Sequence, residues 1–162
     1  MLISSVSNER LSALIVAVIL WTGGVSVDAT AQEDAIRPSL ADLMTLTQLR
    51  HFKIWYAERS QNWKLTAYEL DQFQATIERT VRLYPTTSSI AQAALIKEKT
   101  EPAVADLRRA ISGKNSPLFE AAYMRVTAAC NQCHQAAGVG FIVVQVPTKS
   151  PFSNQRFDPV PD

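Results

Sequence analysis

Cys130, Cys133 and His134 stand together in the chain as Cys-Asn-Gln-Cys-His. Two thiols three positions apart, followed at once by an imidazole, form a CxxCH, the pattern by which a chain is tied covalently to a c-type haem. The sulfurs take thioether bonds to the porphyrin vinyl groups, and the tether sets the histidine beneath the iron, where imidazole is a good ligand. Such a short pattern is weak in a long chain. Here it takes up both cysteines of the protein and one of its two histidines, and that economy makes the signal strong.

Other chemistries are less well served by the same residues. Zinc wants two spaced pairs of Cys or His ligands, and the only further candidate is His51, 79 positions before Cys130. A thioredoxin-like pair belongs at a helix N-terminus, where the dipole lowers the thiol pKa, whereas this pair falls late in a helical stretch. A structural disulfide across so short a loop would restrain little of the unfolded chain.

The N-terminus reads as an export signal over residues 1–31. Leu11 to Trp21 is an apolar run of the right length for a signal core and short for a membrane span, and Ala29-Thr30-Ala31 is a small-x-small cleavage site before Gln32. Arg10 is the sole basic residue ahead of the run and is offset by Glu9, so an uncleaved anchor is the alternative. Covalent haem attachment in bacteria follows export, and the periplasm is the compartment that suits both signals. Cleavage would leave 131 residues, enough for one domain with a core. Of the 16 basic and 15 acidic residues, Arg10, Glu9 and Asp28 would be removed, leaving a net charge of +2. That balance gives no reason to expect nucleic acid or an anionic membrane as partner.

The elements that must position the motif are helices. Apolar residues recur at three- and four-residue spacing in four stretches. The first runs from Leu40 to Arg59 behind Ser39 as N-cap, with Leu40, Leu43, Met44, His51, Ile54 and Trp55 on one face. The second covers Leu65 to Leu83, with Leu70, Phe73, Ile77 and Val81 inward, and Pro85 ends it. The third spans Ser89 to Gly113, where Pro102 predicts a kink or break and Gly113 and Asn115 are stop signals. The fourth opens at Ser116 as N-cap with Pro117 at the first helical position. It carries Leu118, Phe119, Ala122, Tyr123, Val126 and the CxxCH, and closes at Gly138 and Gly140. Residues 141–162 read as an extended tail laid over the bundle, with Phe152 and Phe157 as anchors. Four helices with short connections predict an all-α, up-down-up-down bundle over residues 32–140, a common housing for a cofactor.

A CxxCH near the end of the last helix of such a bundle resembles the class II c-type cytochromes, the family of cytochrome c′ and the low-spin cytochromes c-556. The layout covers the whole chain after the signal, while the exact residues are Cys130, Cys133 and His134. The resemblance implies a single covalent haem c whose iron takes His134 as proximal ligand, unidentified redox partner proteins, and dimerisation through the first two helices. Two features depart from the family. Gly138 stands where members often carry Arg or Lys four residues after the histidine, and 28 residues follow His134 where members usually end within a few.

The sixth iron position has two candidates on the first helix, Met44 and His51. Seven residues apart, they share a face about 10.5 Å from one another, so one alone can meet the iron. If the first and last helices run antiparallel, the end of the last lies beside the start of the first, which favours Met44. The low-spin relatives likewise take methionine from that region. Packing methionine and a hydrogen-bonded core histidine are the plain alternatives for the two residues. Trp55, Tyr56, Trp63 and Tyr123 read as haem-pocket or core aromatics. Arg108, Arg109 and Lys114 read as a solvated cluster, with a docking patch for an acidic partner as the sharper reading. The expected role is one-electron transfer in the periplasm, not enzymatic catalysis. A five-coordinate gas-binding cytochrome c′ and a haem subunit of a larger redox enzyme are the alternatives, and the sequential pair Arg50 and His51 matches a peroxidase only superficially.

Overall fold

A computed structural model describes residues 37–86 and 91–160 of the chain. The expected signal segment and residues 32–36 lie outside the described residues. Four helices form, α1 (Leu40–Arg59), α2 (Trp63–Leu83), α3 (Gln92–Ser112) and α4 (Ser116–Ala136), and no strand occurs among the described residues. No described helix is long and apolar enough to cross a membrane.

Capping residues fix where the helices begin. Ser39 and Asp42 make a reciprocal capping box at α1, each side chain taking the other's backbone N–H at 3.1 Å. The Ser39 hydroxyl, donating to the Asp42 carboxylate at 2.6 Å, and then the Ser39 backbone N–H hold that carboxyl below the usual carboxylate range. Asn62 caps α2 by accepting from the Leu65 N–H at 3.0 Å, so this helix starts at Trp63, two residues earlier than its apolar periodicity indicates. Asn115, expected as a stop signal, instead caps α4 through the Leu118 N–H, and Ser116 becomes the first helical residue. Pro102 neither breaks nor ends α3. It lies on an exposed face, where the carbonyl deprived of its N–H partner can turn to water. The left-handed residue after α3 is Lys114 (φ 48°), while Gly113 keeps an ordinary φ of −82°.

Contacts join the helices in a ring. Arg50 of α1 pairs with Glu69 of α2 at 2.9 Å, Arg108 of α3 with Asp71 of α2 at 2.8 Å, and Arg125 of α4 with Asp106 of α3 at 3.0 Å. Trp55 of α1 meets Phe119 and Tyr123 of α4 with ring centroids 6.2 and 4.9 Å apart. Ile54, Leu70, Phe73, Leu107, Phe119, Tyr123 and Val126 fill the core. Leu118, expected on the inner face of α4, is 59% exposed, because it stands one position, about 100°, from the buried Phe119.

The tail has no regular structure but is anchored. Phe157 is buried against Tyr56 (5.8 Å between centroids) and Phe152 (6.0 Å), Phe152 sits edge-on to Phe52, and Lys53 lies over its ring. Asn62 uses its amide N–H to hold the Phe157 carbonyl at 3.0 Å while its oxygen caps α2.

Candidate functional site

Cys130, Cys133 and His134 occupy the last turns of α4. At 100° per residue the three fall within one face of the helix. Both cysteines are free thiols, Cys133 buried and Cys130 partly so. Burial pushes the Cys130 thiol up to about 12, with Cys133 nearby adding to the effect, and burial also raises Cys133. Both sulfurs are therefore protonated at neutral pH, the opposite of an activated redox pair. Among the described residues no three His, Cys, Asp or Glu side chains cluster as a zinc site requires.

The histidine of the motif is oriented by the tail. His134 Nδ1 lies 2.7 Å from the Ile142 carbonyl oxygen. A carbonyl only accepts, so Nδ1 carries the proton, and Nε2 is the nitrogen with a lone pair for a metal. Gly138, at φ +75°, turns the chain out of the helix, and the Val139 N–H closes onto the His134 carbonyl at 2.9 Å. Asn131, an interior residue of the CxxCH, makes two bonds to Val144: its amide donates to the carbonyl and its oxygen accepts the N–H, both at 2.8 Å. Phe141, Ile142 and Val143, on the loop that reaches His134, are 82%, 48% and 71% exposed.

His51 is 2% exposed and has both ring nitrogens engaged. Nδ1 is 2.9 Å from the Tyr123 hydroxyl and Nε2 is 2.9 Å from Thr127 Oγ1. Tyr123 also donates to the His51 carbonyl at 2.8 Å, and the two rings stack at 4.4 Å. Burial lowers the His51 pKa to about 4, so the ring is neutral at pH 7. Arg50 turns the other way, to the buried Glu69, so it does not accompany His51 into the core.

Met44 is half-buried on α1, seven residues before His51. Thr47, Thr76, Thr80, Thr100 and Thr127, from all four helices, are buried with each hydroxyl donating to the carbonyl four residues back. Their polar atoms are satisfied within their own helices, which leaves the methyl groups for the interior. A cleft of about 680 Å³ opens between α2 and α3 beside Phe73, Ile77, Val81, Ile96, Thr100 and Val104, with Arg82, Lys97 and Arg108 at its rim, and it touches no residue of the CxxCH.

Trp63 packs edge-on against Phe119, eleven residues before Cys130 on α4, which makes it a core aromatic remote from the motif. Arg108 and Arg109 are paired, with Asp71 and Gln74 and with Asp106 respectively. Sequence reasoning passed over Ile142, Tyr123 and Thr127 as partners of the two histidines and Asn131 as the partner of Val144, and read nothing into Glu58 and Glu69, both buried beside arginines. The spacing of Asn131 inside the motif was the one available signal.

No protein-family model, curated protein or solved structure matches this chain.

Proposed function

We propose that the chain is an exported, periplasmic monohaem cytochrome of the class II type, carrying one electron at a time between redox partner proteins. In this reading the four helices run up-down-up-down, Cys130 and Cys133 hold haem c through thioethers, and His134 Nε2 is the proximal iron ligand. The observation that carries it is the His134 side chain: its Nδ1 is committed to a backbone carbonyl, the arrangement that fixes a metal-binding histidine by its other nitrogen. When bound, the haem supplies the one-electron couple, and the protein tunes it through axial ligands, burial and nearby charge.

Register supports Met44 as the sixth ligand. His51 meets Tyr123 and Thr127. Two turns back along α1 from His51 is Met44, and two turns on along α4 from Tyr123 and Thr127 are Cys130 and His134. In antiparallel helices those steps advance together, about 10.5 Å each, and bring Met44 level with the motif. Thr47, one turn on from Met44, and Thr127, one turn before Cys130, put short buried side chains beside those positions, and a flat apolar group needs room that bulky residues would deny. The exposed Phe141 to Val143 are a surface such a group would cover.

The test is expression with export and haem attachment intact. Denatured protein should keep a haem stain on a gel, and the intact mass should equal residues 32–162 plus one haem. Haem lost to acid-acetone sinks the proposal. Carbon monoxide added to the reduced protein separates the roles: an unchanged low-spin spectrum supports a carrier, and ready binding to an already high-spin iron moves the reading to the gas-binding cytochromes c′.

A further inference from the structure

We infer that Asn131, inside the CxxCH itself, is the residue that positions the proximal histidine, by clamping the tail so that the Ile142 carbonyl accepts the His134 Nδ1 proton. The inference rests on His134 being the iron ligand and adds a residue with a stated task.

The geometry is a short chain of bonds. Ile142 has no side-chain means of holding its carbonyl on an imidazole, and it lies eight residues beyond His134, past the end of the helix. Two features fix it. Before it, the Gly138 turn returns the backbone: Val139 N–H to His134 carbonyl at 2.9 Å, then Ile142 N–H to Val139 carbonyl at 2.9 Å. After it, Asn131 takes both backbone groups of Val144 at 2.8 Å, the two-point pairing of an amide side chain with an extended peptide. Asn131 is one turn before His134 on the helix, so the clamp and the ring it serves are adjacent. Two bonds restrict the tail in a way one would not. With the clamp closed, both ends of the segment from Val139 to Val144 are bonded to α4, which holds the Ile142 carbonyl at the ring.

The chemical consequence is electronic. An imidazole whose Nδ1 proton is held by a carbonyl is a more basic ligand, which favours the ferric state over the ferrous. Released from that bond, the ring donates less, and the ferric–ferrous balance moves toward Fe(II).

The experiment uses the holoprotein. In the wild type, the His134 ring Nδ1 proton should appear in the NMR spectrum as a slowly exchanging resonance close in space to Ile142. Asn131→Ala and, independently, Val144→Pro, which removes the N–H that Asn131 accepts, should keep one covalent haem, because neither touches a thioether or the ligand. Both should speed exchange of that proton at least tenfold and favour reduction by about tenfold, 59 mV for one electron. Asn131→Asp keeps the bond from the Val144 N–H and loses the other, and its exchange rate and potential should fall between. A wild-type ring proton that exchanges with solvent at the rate of a free imidazole overturns the inference whether or not the variants fold. So do variants that keep the haem with potential and exchange unchanged. Absence of covalent haem from the wild type strikes the parent proposal instead.

Discussion

At the scale of single residues, the two histidines divide between opposite tasks, and their neighbours say why. His134 keeps one nitrogen available, whereas both nitrogens of His51 are bound within the core. If His134 and Met44 hold the iron as proposed, Met44→Ala should convert a low-spin haem to one that is high-spin and open to carbon monoxide, and remove the weak sulfur-to-iron band in the red. His51→Ala should leave the spectrum nearly unaltered and cost roughly 2–4 kcal/mol of stability, since it strands the Tyr123 and Thr127 hydroxyls and opens a cavity. Exchange of these two outcomes would make the iron bis-histidine. The pH dependence of stability follows from the same burial. His51 has an ordinary pKa of 6.5 unfolded and about 4 folded, so between those values the unfolded chain binds the extra proton. Stability is full above pH 6.5 and falls as pH drops toward 4, by about 3 kcal/mol at most. Urea midpoints from pH 7 to 4 should show that loss in the wild type and a flatter profile in His51→Gln.

Among elements, the ends and the tail are where side chains decide. Asn62 both caps α2 and holds the Phe157 carbonyl. Asn62→Ala should cost about 2 kcal/mol, one part for the cap and one for the lost bond to the tail, while Asn62→Asp keeps the cap and should cost about half as much. Chemical denaturation measures both. Phe157→Ala should be worse, about 3 kcal/mol, because that ring is the tail's buried contact with Tyr56. The helices themselves were legible in the sequence because a 3.6-residue apolar rhythm is written in side-chain types. Their first residues were less so: Asn62 and Asn115 each serve equally well as turn or cap, and only the fold chooses. Pro102 was misleading for a related reason, since its cost depends on whether the bereft carbonyl reaches water. The strap at His134 was illegible, because its partner is a backbone carbonyl and any residue at position 142 supplies one. Nothing in the sequence marked Glu58 and Glu69 as buried: Arg59 stands next to Glu58, but adjacency alone does not signal a buried ion pair, and Arg50 meets Glu69 across 19 positions only in the folded chain.

For the whole molecule, large and small side chains are distributed unevenly. Phe73, Leu107, Phe119 and Tyr123 pack tightly, while the buried threonines of the four helices and small residues such as Ala129, next to Cys130, bury less. A porphyrin set among the latter would supply the missing apolar area, so attachment and stability should be coupled. Cys130→Ala with Cys133→Ala should lower the thermal midpoint by well over 10 °C relative to the haem-bound protein and broaden the transition, given that about 1 kcal/mol moves a domain of this size by several degrees. A double variant as cooperative and as stable as the wild type would mean that the core is complete without the group.

The tail's two asparagine attachments have a further consequence when they are treated as a bivalent ligand on its own receptor. Twelve residues separate Val144, held by Asn131, from Phe157, held by Asn62. With either site engaged, the other is offered its partner at an effective concentration in the millimolar range, so breaking one leaves the tail seated most of the time. Breaking both removes that advantage at a stroke. The variant carrying Asn62→Ala and Asn131→Ala should therefore lose protection of residues 145–156 from proteolysis far beyond the product of the single effects, the signature of avidity within one chain.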